Sequence, residues 1–255
     1  MMGLEIFDLT GKVAMVTGST RGLGEVEAMA LAKAGADVAV CGRVESDLKR
    51  VSGAIKDLGR DSEGFSMEVT SKESIHEGVD KILERFGRVD ILVNNTGTNH
   101  RVPVLEYPED KWDLIINTNL KSYYLVAQAV VPQMIGRGYG KVINISSIAG
   151  QVGIVNQLAY GSSKGGVNEM TRIMAVEWAK HAISVNAIAP NYFETEMVKQ
   201  IFNDPERLEF VKNRTPMGRW GKLPEFEGIV IFLASSASDF ITGQVICIDG
   251  GWTAC

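Results

Sequence analysis

The chain has 255 residues, 45% hydrophobic and 22% charged, the balance of a single globular domain with a buried core rather than of a disordered or fibrous chain. Its formal charge of -5 offers no attraction to a nucleic-acid backbone or an anionic membrane, so small molecules are the expected partners. No stretch approaches the ~20 apolar residues of a membrane span, and the first residues lack a secretory signal. Cys41, Cys247 and Cys255 are too scattered for a disulfide framework or a zinc site, so a cytoplasmic protein without a metal is expected.

Short Val/Ile-rich runs occur at Val13–Thr17, Val38–Cys41, Ile91–Asn94, Val142–Ile145, Val185–Ile188 and Val245–Ile248, most of them separated by stretches of helical period. A further strand is expected before Glu68. This alternation predicts an α/β fold, a single doubly wound parallel sheet of about seven strands with helices on both faces, spanning 1–255 as one domain. Expected helices include Gly22–Ala34, closed by Gly35, and Ser71–Phe86, opened by Ser71 or Ser74. Two long ones follow at Lys111–Ile135 and Leu158–Lys180. Between Pro190 and Pro216 polar and aromatic residues break the pattern, and a substrate lid is expected there.

Directly after the first strand, TGSTRGLG sets Gly18, Gly22 and Gly24 where the chain turns into a helix. Glycines there let backbone N–H groups and the positive helix end approach a pyrophosphate, although they could equally serve tight helix–strand packing. The second strand ends Cys41-Gly42-Arg43. A carboxylate at that end would bind a ribose 2′-hydroxyl and repel a 2′-phosphate; here Arg43 and Arg21 stand instead, which favours NADP(H) over NAD(H). The alternative for Arg43 is a solvated surface charge.

Tyr160 and Lys164 lie four residues apart at the start of an expected helix and share one face. Tyr107 and Lys111 match that spacing, so spacing alone identifies neither pair. The difference lies upstream: the strand Val142–Ile145 delivers Ser146 and Ser147 at its C-terminal end, where ligands of open parallel sheets bind.

Together these features resemble the short-chain dehydrogenase/reductase family. TGSTRGLG is similar to its TGxxxGxG turn, NNTG at Asn94–Gly97 to its NNAG element, Asn119 to its helix asparagine, and Ser147 stands thirteen residues before Tyr160. The resemblance implies a Rossmann-like fold, a homotetramer or dimer, and a catalytic tetrad of Asn119, Ser147, Tyr160 and Lys164. In the implied chemistry Tyr160 exchanges a proton with a carbonyl or alcohol oxygen that Ser147 also hydrogen-bonds. Lys164 stabilises the phenolate and holds the nicotinamide ribose, while Asn119 anchors a water.

The implied cofactor contacts are Gly18, Ser19, Thr20, Arg21, Gly22, Leu23 and Gly24 in the turn, then Arg43, Glu68, Val69, Asn95, Gly97, Tyr160, Lys164, Pro190, Tyr192 and Thr195. Departures from the family pattern are Thr96 for Ala in NNAG, Glu68 where Asp is common, Asn191 for the glycine of a Pro-Gly pair, and Val26 and Glu27 in the first helix. Asparagine at 191 would be the better tolerated if that position were left-handed.

Substrate residues are expected at Arg101, Ser147, Val152, Tyr192 and Phe193. NYFETEM, RTPMGRWG and ASDFITGQVICIDGG resemble the gluconate 5-dehydrogenase and 2-deoxygluconate dehydrogenase branch, in which a basic residue at the place of Arg101 meets a sugar-acid carboxylate. Arg101 could instead be a loop charge or an intersubunit pair, and Val152, Ile154, Tyr192 and Phe193 could line an apolar pocket for bulky ketones. Three activities therefore stand open: an NADP(H)-dependent reductase of secondary ketones, a 3-oxoacyl-carrier-protein reductase, and a non-catalytic NADP(H) sensor. An intact tetrad speaks against the sensor. For the carrier-protein reductase, Arg101 and Lys199 supply basic charge near the mouth, opposed by Glu106, Glu194 and Glu196.

Overall fold

The computed structural model describes residues 4–195, 198 and 204–255. Seven parallel strands form one sheet: β1 (Val13–Thr17), β2 (Asp37–Gly42), β3 (Ser62–Ser66), β4 (Ile91–Asn94), β5 (Gly140–Ile145), β6 (Ile183–Pro190) and β7 (Val245–Ile248). Their order is β3-β2-β1-β4-β5-β6-β7. The chain winds outward from β1, then returns to its other side at β4, so the crevice beyond the strand ends opens between β1 and β4. Every residue of β1, β4, β5 and β6 is buried, as a sheet covered on both faces requires. The edge strands are more open: β7 is half-buried throughout, and β3, of sequence SEGFS, has two exposed positions and no Val/Ile run to announce it.

Helices α1 (Gly22–Lys33), α2 (Glu45–Asp57), α3 (Lys72–Phe86), α4 (Glu109–Ile116), α5 (Ser122–Arg137), α6 (Leu158–Trp178), α7 (Pro205–Arg214) and α8 (Pro224–Ala234) supply the layers. One core packs α1, α2 and α8 on the sheet, and a second packs α3, α5 and α6 on its other face. Local chemistry sets the ends. Ser71 Oγ accepts the Ser74 N–H at 3.1 Å to open α3, and Gly35 (φ 108°) and Gly87 (φ 76°) close α1 and α3 in left-handed backbone. The long helix expected from Lys111 is α4 and α5 joined by a π-helical segment, Asn117–Lys121. Such bulges concentrate at functional positions, and this one carries Asn119.

The 190–216 region departs from expectation. It is not one structureless lid: β6 continues to Pro190, Phe193 forms a bridge with Gly221, and α7 starts at Pro205 behind its Asp204 cap. Glu196 and Lys199 lie outside the described residues. Asn191 needs no left-handed backbone; among described residues only Asn156 and Ala182 adopt positive φ without being glycine. Of the aromatic and Met side chains expected to give α5 and α6 a second apolar face, Tyr123 and Met174 are buried core, whereas Tyr124 is exposed, as are Ile173 and Val176 of α6.

Candidate active site

The glycine turn leaves β1 with Gly18 (φ 64°) and Gly22 (φ 58°) in left-handed backbone, where a side chain would be strained. At Gly24 a Cβ would collide with the Gly18 carbonyl and the Asn95 amide, so α1 packs against the sheet at van der Waals contact. Asn95 fixes the turn from β4, its Nδ2 donating to the Thr17 and Gly18 carbonyls at 3.0 and 3.1 Å. No side chain caps the first turn of α1, whose N–H groups stay available to an anion. Gly24 is required for packing and Gly18 and Gly22 for the turn.

Not every expected contact of the turn faces outward. Ser19 Oγ donates to the Val16 carbonyl at 2.8 Å and accepts the Cys41 N–H at 2.9 Å, while the Ser19 N–H donates to the Cys41 carbonyl at 3.1 Å, so both its hydroxyl and its amide staple β1 to β2. Thr20 lies against Gly42, and its carbonyl accepts from Arg50, a residue of α2 that also pairs with Glu25. Arg50 was not singled out by the sequence, because a lone arginine inside an amphipathic helix carries no signal. Arg43 stands at the end of β2 as expected, 3.3 Å from Glu68, with 71% of its side chain exposed. Val69 is buried beside Glu68, and Thr195 lies 3.8 Å from where a Gly22 Cβ would stand.

At the other end of the crevice, β5 delivers two serines that the structure separates. Ser146 Oγ bonds the Asn168 side chain at 2.5 Å and the Lys164 carbonyl at 3.2 Å, which consumes it in packing. Ser147 turns the other way, accepts the Ala149 N–H at 3.1 Å, and hydrogen-bonds the Tyr160 hydroxyl. Gly150 has no room for a Cβ, which would meet the Lys164 backbone at 2.6 Å; the chain after Ser147 is thereby pressed onto α6.

Lys164 is 2% exposed. Its Nζ donates to the Ile145 carbonyl at 2.6 Å and to Tyr123 Oη at 3.3 Å, and sits 5.8 Å from the centre of the Tyr160 ring. Burial lowers its pKa to about 7, against the pull of the Glu27 charge. Burial likewise raises Tyr160 above the ordinary phenol value, opposed by the Ser147 hydrogen bond and the Arg101 charge. The cation expected to favour phenolate is thus held on a strand carbonyl, and in this arrangement Arg101 is the charge that favours it.

Asn119 is fully buried; its amide donates to the Thr98 carbonyl and Ser163 Oγ at 2.9 and 3.2 Å and accepts the Thr98 N–H at 2.8 Å. It ties the loop after β4 to α6, which leaves one lone pair of Oδ1 for a further donor. The competing pair separates cleanly: Tyr107 Oη donates to the His100 carbonyl and Lys111 pairs with its neighbour Asp110, so neither enters the crevice.

The mouth of the crevice brings together Ile148, Val152, Ile154, Tyr192, Val211 and Trp252 as an apolar wall. Tyr192 packs edge-on against Trp252 with centroids 5.9 Å apart. Phe193 does not join it: 3% exposed, it stacks edge-on against Phe226 at 5.3 Å within the core, because consecutive residues of an extended chain point to opposite sides. Arg101 stands at the mouth, and buried Gln157, the residue just before α6, accepts from both its terminal nitrogens at 3.1 and 3.2 Å. Nothing in the sequence marked Gln157, since a glutamine ahead of a helix has no pattern of its own.

A glycine turn at the sheet's switch point, with a serine, a tyrosine and a lysine converging beyond β5, is the arrangement expected of an α/β oxidoreductase of alcohols and carbonyls. Residues 18–253 match the family profile described as enoyl-(acyl carrier protein) reductase. The chain is 37% identical over 249 residues to gluconate 5-dehydrogenase of Gluconobacter oxydans (strain 621H), covering 98% of this chain and 97% of that protein. It is 41% identical over 256 residues to 2-dehydro-3-deoxy-D-gluconate 5-dehydrogenase of Escherichia coli (strain K12), covering 99% and 100%. A gluconate 5-dehydrogenase from Burkholderia cenocepacia J2315, solved in complex with NADP and tartrate, superposes with a TM-score of 0.96 at 38% identity, covering 99% of each chain. The chain belongs to the short-chain dehydrogenase/reductase family.

Proposed function

We propose that the protein uses NADP(H) to interconvert a ketone and a secondary alcohol on a sugar acid of the gluconate type. The observation that carries this reading is Arg101, braced by buried Gln157 and electrostatically coupled to the Tyr160 hydroxyl. A guanidinium so held suits a carboxylate, and its electrostatic influence on the Tyr160 hydroxyl favours a keto acid over a simple ketone. The relatives named for gluconate and deoxygluconate, and the neighbour holding NADP with the dicarboxylate tartrate, support it.

The residues present fit the cofactor. Uncapped amides of α1 and the Gly18–Gly24 turn would hold its pyrophosphate, Arg43 and Arg21 its 2′-phosphate, Thr195 and Lys164 the nicotinamide half. When bound, the nicotinamide supplies or accepts hydride, and in oxidised form adds positive charge to the site. Tyr160 then gives its proton to the substrate oxygen in reduction and takes it back in oxidation, while the Ser147 hydroxyl donates to that same oxygen. Lys164 keeps positive charge near the phenolate, and Asn119 holds the Thr98 loop against α6. Exposed Tyr124, Ile173 and Val176 are the surface on which a homotetramer or dimer would form, which light scattering tests.

The experiment is NADPH oxidation followed against 5-ketogluconate, an acetoacetyl thioester and an aryl ketone. The reading expects the sugar acid to give the highest kcat/KM. Preference for the thioester would instead establish a 3-oxoacyl-carrier-protein reductase, and tight NADPH binding with no turnover on any ketone would establish a sensor.

A further inference from the structure

The glycine turn after β1 is gripped from outside by a residue of α2. Arg50 forks onto Glu25, its Nη1 donating to Oε1 at 2.6 Å and its Nη2 to Oε2 at 2.8 Å. The same Nη2 donates to the Thr20 carbonyl at 2.8 Å. Thr20 belongs to the turn and Glu25 to the first turn of α1, so one guanidinium clips both ends of the segment 20–25 to α2. An exposed ion pair is ordinarily worth little; a bidentate fork with a further bond to backbone fixes a geometry that a single contact leaves free.

Arg21 lies between the two anchors. A trans peptide sets its C=O and N–H on opposite sides, so the bond from Arg50 to the Thr20 carbonyl turns the Arg21 N–H away from that guanidinium. Arg21 is extended (φ -162°, ψ 166°), and its carbonyl accepts the Glu25 N–H at 3.4 Å as α1 begins. Its side chain is exposed and makes no ion pair among the described residues. The clip also sits beside the end of β2: Thr20 lies against Gly42, where a Cβ would meet its methyl group at 2.8 Å, and Arg43 follows. Two arginines able to take a 2′-phosphate thus flank a segment whose backbone a third one holds. The fork neutralises Glu25 as well, a carboxylate that unpaired would repel phosphate at the start of α1.

We propose that Arg50 is a positioning residue for recognition of the cofactor's 2′-phosphate: its fork onto Glu25 and the Thr20 carbonyl fixes the backbone that carries Arg21 and cancels the opposing charge of Glu25. The role rests on the reading that this turn holds NADP(H).

Its test is the dissociation constant of NADPH and of NADH, read by cofactor fluorescence, for wild type, Arg50→Gln and Arg50→Lys, with Tm measured alongside. The Arg50 side chain is 52% exposed, which both replacements tolerate without opening a cavity. Arg50→Gln is expected to raise the NADPH constant by about 10-fold and the NADH constant by less than about 3-fold. In turnover the loss falls on KM for NADPH rather than on kcat. Arg50→Lys keeps the charge, but one ammonium cannot hold carboxylate and carbonyl together, so it is expected to weaken NADPH by about 3-fold or more. A brace that only joined α1 to α2 would lower Tm and leave the NADPH-to-NADH ratio unchanged. That result overturns the proposal, as does Arg50→Lys binding NADPH like wild type. If wild type itself shows no preference for NADPH over NADH, the cofactor reading fails and the role of Arg50 with it. A wild-type preference that Arg50→Gln leaves intact removes the role of Arg50 alone.

Discussion

Two sets of titratable groups are built on opposite terms. At the end of β2, Arg43 and Glu68 meet at 3.3 Å with 71% and 40% of their side chains exposed. Water screens such a pair, which is worth little and rearranges cheaply when a phosphate arrives. Lys164, held on the last carbonyl of β5, and Glu27 of α1 are both buried, and each is driven toward its neutral form. The end proposed to recognise the cofactor phosphate keeps its charges in solvent, and the end proposed for proton transfer withdraws them from it, where burial shifts their protonation.

The largest expected break falls at the buried end. Tyr160→Phe is expected to lower kcat by about 10³-fold or more with NADPH binding, read by fluorescence, nearly unchanged; Tyr107→Phe should leave turnover near wild type. Ser147→Ala removes a donor to the developing alkoxide, and steady-state kinetics should record a loss of about 10²-fold in kcat. Arg101→Ala is expected to raise KM for a keto-sugar acid by roughly 10-fold to 100-fold and to spare a neutral ketone, a contrast that competition between the two substrates would expose. At the exposed end, Arg43→Asp should move the NADPH-to-NADH ratio of kcat/KM by about 10-fold toward NADH, the smallest of these effects because that site is solvated.

The same contrast explains what could be read from the sequence. Six of the seven strands announce themselves as Val/Ile runs, the central ones because they are buried on both faces; β3, at one edge, reads SEGFS and carries no such run. Ser147, Tyr160 and Lys164 could be proposed together because they sit at fixed offsets along one strand end and one helix, whereas Asn119, on the π-helical segment before α5, was proposed from family resemblance. Which of two adjacent serines faces the site was settled by the Asn168 side chain holding Ser146, a contact 22 residues distant that spacing cannot contain. Phe193 was misassigned to the pocket because loop direction at Tyr192–Phe193 is set by the bridge to Gly221, itself a long-range contact. Glu27 stood out as a departure in the first helix, yet its burial depends on how the helices converge on the sheet.

The claim that burial sets protonation at the catalytic end is tested most directly by thermal denaturation of wild type and Glu27→Gln across pH 4.5 to 9. A carboxyl with its folded pKa raised from 4.5 to about 8 stabilises the fold while protonated, and that contribution is lost as pH rises through this interval. Below about pH 8 Glu27 is neutral, so Lys164 meets the same surroundings in both proteins and its opposite contribution cancels; only above that does the Glu27 anion raise the Lys164 pKa in wild type alone. The account predicts that Tm of Glu27→Gln minus Tm of wild type grows steadily above pH 4.5, to about 5 °C or more, and levels off above pH 8. A difference that stays constant over the whole range would contradict it.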